Sequence, residues 1–383
     1  MRLLFLYRAL AVALIIVVCM LPGGCRSAQT DMQPPADVVI ASYNVHNLFD
    51  ACENGGEYEE YRPSKSGWDQ AGYRKRLDLT AKALRLASAG RAPDILCLQE
   101  IENAQVLADL ARAMRSDGYR YWAAGGPEDA AVHVGVLSRF PIVGIRAHAV
   151  RDAWGFKGLR DMIEVEVNLP HPGSRSSTLG TSSGSSLLLF VCHWKSKREG
   201  EKETEPARRA AAALLRDRLT IVQRERPDLP IIVCGDFNES PDEYLRTGKS
   251  YPTAFMPHGL ASMPKAPEGP PLLVASEYVM RALAMQSQVD PPPVLYSPWV
   301  EMPQSFSIAY RDRREQFDGF FLNRALFDEK SLEYASFMVC SEPPLVDDHG
   351  MPRAWDGRDG FSDHLPVLLY LAYHQTSGSE SLR

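Results

Sequence analysis

The sequence predicts an α/β fold in which two β-sheets pack face to face with helices outside them. Two observations carry this reading. Short apolar, β-branched runs recur along the chain with helical stretches between them. The chain has 383 residues, 45% hydrophobic and 23% charged, ordinary globular values and enough to bury a large core without staples. Strands and helices mixed over that length bury their apolar faces best as stacked layers.

The elements follow in order. "MRLLFLYRALAVALIIVVCMLPGGCRS" has a basic start, an apolar run from Ala9 to Val18 and small residues before Cys25. The run is short for a membrane span, which needs roughly 20 residues, and suits a secretory signal over 1–24. Small residues followed by Cys resemble a bacterial lipoprotein cleavage site, with Cys25 lipidated; Pro22 departs from the usual pattern. The expected location is the bacterial cell envelope, lipid-anchored at Cys25, or secretion. Residues 25–36 read as a tether, 37–375 as one catalytic domain and 376–383 as a loose tail.

Within the domain, "ADVVIASYNV", "PDILCLQE", "VHVGVLS", "MIEVEVNL", "SSLLLFVCHW", "PIIVCGDF", "FDGFFLN" and "PVLLYLAY" read as strands. "YRKRLDLTAKALRLASAG" is a helix stopping at Gly90, "NAQVLADLARAMRSDG" one capped by Asn103 and stopped by Gly118, and "EPARRAAAALLRDRLTIVQRE" a third. "PGSRSSTLGTSSGSS" reads as an elongated hairpin loop, and residues 245 to 304, with many Pro and Met, as long loops.

Seven cysteines occur, with no CxxC spacing and no disulfide framework. Cys97, Cys192 and Cys234 fall within apolar runs and read as small core residues. A pairing of Cys52 with Cys340 stays open. The net charge of −6 excludes a protein that coats polyanions through many Lys and Arg contacts, though not a nuclease.

The apolar runs end in polar residues: Asn44 in "SYNVHNL", Glu100 in "LCLQEIEN", His193 in "VCHWKSK", Asp236 and Asn238 in "CGDFNES", Asp318 in "QFDGFFL", Asp363 and His364 in "GFSDHLPV". A lone Asp after a strand is usually a turn residue. The joint pattern has a chemistry. Glu100 and Asp363 are hard oxygen ligands suited to Mg²⁺. Asp236 can take a proton from attacking water that Asn238 helps to hold. His364 or His193 can donate to the transition state, and Asp318 can orient His364 through its other ring nitrogen. This is a site for metal-assisted hydrolysis of a phosphate ester.

Those motifs, in that order, resemble the endonuclease/exonuclease/phosphatase (DNase I-like) superfamily over roughly residues 37 to 373. The resemblance implies a four-layer α/β sandwich, two mixed sheets between helices, and dependence on Mg²⁺ or Mn²⁺. It implies a metal and phosphate network of Asn44, Glu100 and Asp363, and water activation by Asp236 and Asn238. It pairs Asp318 with His364, and His193 matches the second histidine of the DNase-like branch. His46 stands where abasic-site endonucleases have Asp. "HWKSKREGEKETEPARR" and "SFSIAYRDRREQFDGF" resemble bacterial secreted or surface nucleases of the superfamily. Arg160, Lys195, Lys197 and Arg208 are candidates for substrate phosphate, and Phe306, Tyr310 and Arg311 for the groove wall or, for Phe306, the core. Lys202 reads as part of a solvated face. The expected function is a surface-tethered, metal-dependent nuclease acting on DNA or RNA, with no protein partner evident. The alternatives are a phosphodiesterase or phosphatase on lipid or inositol phosphate head groups, sphingomyelinase-like activity included, and a non-catalytic adhesin reusing the fold.

Overall fold

The computed structural model describes residues 36–88, 92–126, 130–151, 159–170, 185–286, 292–310 and 313–374. Sixteen strands alternate with a few helices. In chain order they are β1 (Val38–Leu48), β2 (Ile95–Ile101), β3 (Tyr121–Gly125), β4 (His133–Ser138), β5 (Ile142–His148), β6 (Met162–Leu169), β7 (Ser185–His193) and β8 (Ile231–Asp236). Then come β9 (Phe255–Pro257), β10 (Leu272–Ala275), β11 (Val294–Tyr296), β12 (Ile308–Tyr310), β13 (Arg313–Glu315), β14 (Asp318–Leu322), β15 (Leu332–Val339) and β16 (Val367–Tyr373). A six-stranded sheet runs β15-β16-β1-β2-β4-β3, an eight-stranded sheet β5-β6-β7-β8-β14-β11-β10-β9, and β12 and β13 form a separate hairpin.

Alternation along the central strands builds three apolar layers. Ile40, Cys97 and Val136 of the first sheet share a core with Val165, Leu189, Cys234 and Phe320 of the second. The opposite face of the first sheet, with Ala41, Leu96 and Leu98, packs on two helices through Leu77, Leu84, Leu107 and Leu110. These helices are α2 (Gln70–Leu86) and α3 (Ala104–Ala113), which follow the one-turn α1 (Pro63–Ser66). Phe190, Ile231 and Val233 on the far face of the second sheet meet Ala212, Leu215 and Leu219 of α4 (Glu205–Glu225). Helix, sheet, sheet, helix is the four-layer sandwich expected.

Caps set the helix bounds. The Asp69 carboxylate accepts from the Ala71 and Gly72 amides at the start of α2, and the Asn103 side chain accepts from Val106 N at 2.9 Å at the start of α3. α3 ends before a 3₁₀ turn, Arg115–Asp117, and the chain turns away at Gly118 with φ +94°.

Residues 245–304 depart from the expectation of long loops. They carry β9, β10 and β11, which extend the second sheet, and the helix Glu277–Ala284. Strands of three or four residues are too short to display a periodicity. β3, β5 and β15 also went unforeseen as strands. β6 and β7 pair antiparallel as a hairpin would, but residues 171–184 between them lie outside the described residues. So do Gly90, the signal at 1–24, Cys25 and the tail at 376–383. Contacts divide the chain into Met1–Gln33 and Pro34–Arg383, and every described residue lies in the second unit. No helix among the described residues is long and apolar enough to cross a membrane. Cys97, Cys192 and Cys234 are fully buried in the core, while Cys52 and Cys340 are free thiols, so the pairing left open from the sequence is absent.

Candidate active site

The predicted polar residues converge at one edge of the sandwich. β1, β2, β7 and β8 end there with their C-termini, and β14 and β16 begin there. Register does much of the placement. His193 on β7 lies opposite Asp236 on β8, which lies opposite Asp318 on β14. Gly235 makes this row possible: a Cβ there would sit 1.9 Å from the Cys192 carbonyl oxygen, and its φ is +142°.

Across the gap, both β1 and β2 break register, between Asn44 and Leu48 and between Gln99 and Ile101. His46, Asn47 and Glu100 adopt left-handed φ of +56°, +59° and +64°. Such strain in non-glycine residues persists only where surrounding contacts over-determine it, and it collects at functional sites. Here it aims Glu100 at the site. Asn47 N donates to Glu100 Oε2 at 2.9 Å, and His46 N to Asn44 Oδ1 at 3.0 Å. Asn44 Nδ2 then donates both to Glu100 Oε1 at 3.1 Å and to Asp236 Oδ2 at 3.0 Å. This corrects the metal-ligand expectation for Asn44: the end of its amide that faces Glu100 and Asp236 is the nitrogen, a donor that cannot ligate a cation, so Asn44 positions the two carboxylates.

Asp236 is buried, accepts Asn238 N at 2.9 Å, and has His193 Nε2 at 3.6 Å and His364 Nε2 at 3.9 Å. Desolvation pushes its pKa up to about 7; His364 opposes the rise and Asp318 adds to it. His364 Nδ1 donates to Asp318 Oδ2 at 2.7 Å. Desolvation works against the imidazolium, yet Asp318 and Asp363 hold the His364 pKa well above its ordinary value. His193 goes the other way: burial, with the charges of Arg160 and His364, keeps it neutral. The two histidines of the site are thus pushed apart, His193 toward the neutral form and His364 toward the cation. Asn238 takes a left-handed φ of +50° and anchors its amide on Trp194 O at 3.2 Å.

Asp363 lies at the mouth, its side chain 41% exposed, with His46 Nδ1 at 3.7 Å. Desolvation raises its pKa, but His364 and His46 outweigh it and the carboxyl sits below its usual range. Ser362 Oγ donates to Asn44 O at 2.7 Å and accepts His364 N at 3.0 Å, fastening this loop to β1.

Among the described residues, Asp236, Asp318 and His364 bring atoms within 4.8 Å of one another. The short Asp318–His364 bond, however, makes these an acid–base row. Glu100 and Asp363 fit a hard divalent cation better. Each Glu100 oxygen accepts one hydrogen bond in the contacts above and has a second lone pair, and its side chain is 17% exposed.

The cation candidates divide. Arg160 lies near the Tyr58 hydroxyl, whose pKa is raised by burial and by Glu100 and lowered by the Arg160 charge. Lys195 Nζ donates to Glu199 at 2.9 Å. Lys197 is a correction: it is buried and its Nζ donates to Glu243 at 2.7 Å, away from substrate. Arg208 is a correction: it is wholly buried and paired with Glu205 at 2.6 Å and Glu239 at 3.2 Å. It also donates to the carbonyls of Lys195 and Glu201, so it ties down the segment after His193 rather than touching substrate. Lys202 is exposed as expected; Phe306 is buried under the Arg314 guanidinium, Tyr310 is half-buried, and Arg311 lies outside the described residues. Sequence reasoning missed Ser362, inside "GFSDHLPV", and Tyr58 and Arg76, which no motif marks.

Comparison with known proteins places the chain in a family. Residues 39–249 match the family described as Endonuclease/Exonuclease/phosphatase family. The chain belongs to that family of phosphoric ester hydrolases. A comparison with curated proteins finds no match. Similar solved structures include a mannosyl-6-phosphatase of Bacteroides thetaiotaomicron, at 16% identity and TM-score 0.49, covering 88% of this chain and 99% of that one. The human Nocturnin catalytic domain with bound sulfate gives 16% identity, TM-score 0.49, and 90% and 95% coverage. D. rerio TDP2 complexed with a single-strand DNA product gives 16%, 0.47, and 87% and 98%.

Proposed function

We propose that this chain hydrolyses phosphodiesters of nucleic acid, DNA or RNA, with the help of Mg²⁺ or Mn²⁺. The observation that carries the chemistry is the buried row of Asp236, Asp318 and His364, with a base poised near neutrality beside an imidazolium. Asp236 accepts a proton from the attacking water, its carboxylate held by Asn44 and the Asn238 amide. His364, kept cationic by Asp318, donates to oxygen where charge builds up or departs. Neutral His193 stands against both carboxylates, its Nε2 3.8 Å from Glu100 and 3.6 Å from Asp236. Glu100 and Asp363 would hold the divalent cation, whose chemistry is to polarise a phosphoryl oxygen and neutralise its charge. Arg160, beside Tyr58, is suited to a phosphate oxygen.

One observation favours a second reading. Of the four expected phosphate cations, Lys195 is bonded to Glu199 and Lys197 and Arg208 are enclosed, so a substrate bearing one or two phosphates, such as a lipid or sugar head group, needs fewer contacts than a long strand. The leader pattern supports attachment at the cell envelope through Cys25, which a Cys25→Ser variant would abolish in membrane fractionation. The test of substrate offers plasmid DNA, RNA, sphingomyelin and a sugar phosphate side by side with Mg²⁺ and with EDTA. Metal-dependent cleavage of nucleic acid supports the first reading; intact nucleic acid with released head group or phosphate replaces it with the second.

A further inference from the structure

Behind the left-handed turn that aims Glu100 lies Arg76, from α2, 1% exposed. Buried arginines are usually satisfied by carboxylates, because an isolated buried charge is costly. Arg76 instead donates Nη2 to the carbonyls of Val45 and His46, and Nη1 to Thr80 Oγ1 at 3.3 Å. Its guanidinium lies 5.3 Å from the centre of the Trp355 ring, and its Nε has no hydrogen-bond partner.

The two carbonyls it gathers belong to the peptide groups whose amides are His46 N and Asn47 N. Those amides point the other way, to Asn44 Oδ1 and Glu100 Oε2. Fixing a carbonyl fixes the plane of its peptide and so the direction of its N–H. We propose that Arg76 is a positioning residue for divalent-metal binding: by clamping the Val45 and His46 carbonyls it holds the adjoining amides on Asn44 and Glu100, and so presets the Glu100 carboxylate. Its charge, enclosed behind the site, also acts electrostatically on the Glu100 and Asp363 carboxylates. Lysine keeps that charge but lacks the planar fork that spans two carbonyls, so Arg76→Lys separates the two contributions.

The inference rests on Glu100 as a metal-binding carboxylate. The test is calorimetric titration of the metal-free full chain with Mg²⁺, for wild type, Arg76→Lys and Thr80→Val, with circular dichroism to confirm folding. The expected result is about tenfold weaker Mg²⁺ binding in Arg76→Lys and a two- to threefold loss in Thr80→Val, which removes one anchor of the guanidinium. At saturating Mg²⁺ the substrate KM should be unchanged. Should Arg76→Lys fail to fold, Thr80→Val decides the matter. Wild-type Mg²⁺ affinity in the folded variants, with only the melting temperature lowered, would overturn the inference and leave the metal site standing. Absence of Mg²⁺ binding by wild type would overturn both.

Discussion

Replacing Asp318 by Asn probes the acid–base row at nearly constant volume. The carboxylate accepts from His364 Nδ1 at 2.7 Å, with both side chains buried. A charged hydrogen bond contributes about 1.5–3 kcal/mol against about 1 for a neutral one. The substitution thus removes about 0.5–2 kcal/mol of support for the imidazolium, or roughly 2- to 30-fold in the ratio of its charged to neutral forms. The sign follows from the directions of the shifts. Asp318 raises the His364 pKa, so the variant loses its general acid at lower pH. Asp318 also raises that of Asp236, so the base of the variant ionises at lower pH too. Both limbs of a bell-shaped profile should move acidward together. The assay is kcat/KM against pH from 5 to 10 at saturating Mg²⁺. A loss of roughly 2- to 30-fold on the alkaline side, with relatively better retention on the acid side, is expected. An alkaline limb that stays in place would refute His364 as the acid.

Arg208→Met should destabilise the protein by about 3–5 kcal/mol, because Glu205 and Glu239 would stay buried without their cation; thermal melting measures it. Gly235→Ala should abolish activity, since the new Cβ collides with the Cys192 carbonyl that brings β7 against β8; soluble, fully active enzyme would contradict this. For Glu164, desolvation raises the pKa, but the Arg218 fork at 2.7 and 2.8 Å and His148 hold it down to about 2 from 4.5. A depressed carboxylate pKa adds stability that is complete above 4.5 and lost as pH falls toward 2. Arg218→Gln should therefore flatten the acid-denaturation curve within that window, read by circular dichroism.

The central strands and most of the site were legible because one local feature marks them: an apolar run that ends in Asn44, Glu100, His193, Asp236 or Asp318. Such a run fixes where a side chain sits along a strand, and the parallel and antiparallel registers then align the ends. What lay beyond the sequence depends on partners distant in the chain. Arg208 reads like any helical surface arginine until Glu239, in the loop after β8, closes over it. Asn44 looks like a ligand until its two hydrogen-bonded carboxylates decide which end of its amide faces the site. Arg76 carries no motif, since its partners are backbone carbonyls. The short strands β9 to β11 gain their conformation from the sheet they join.

In the proposed hydrolysis Asp236 is the base that takes the proton from water. Asp236→Asn tests it most directly, because the amide keeps the shape but cannot take the proton from water. Turnover of the preferred phosphate ester should fall by about a thousandfold or more, with Mg²⁺ binding and folding retained. Turnover within tenfold of wild type would contradict the account.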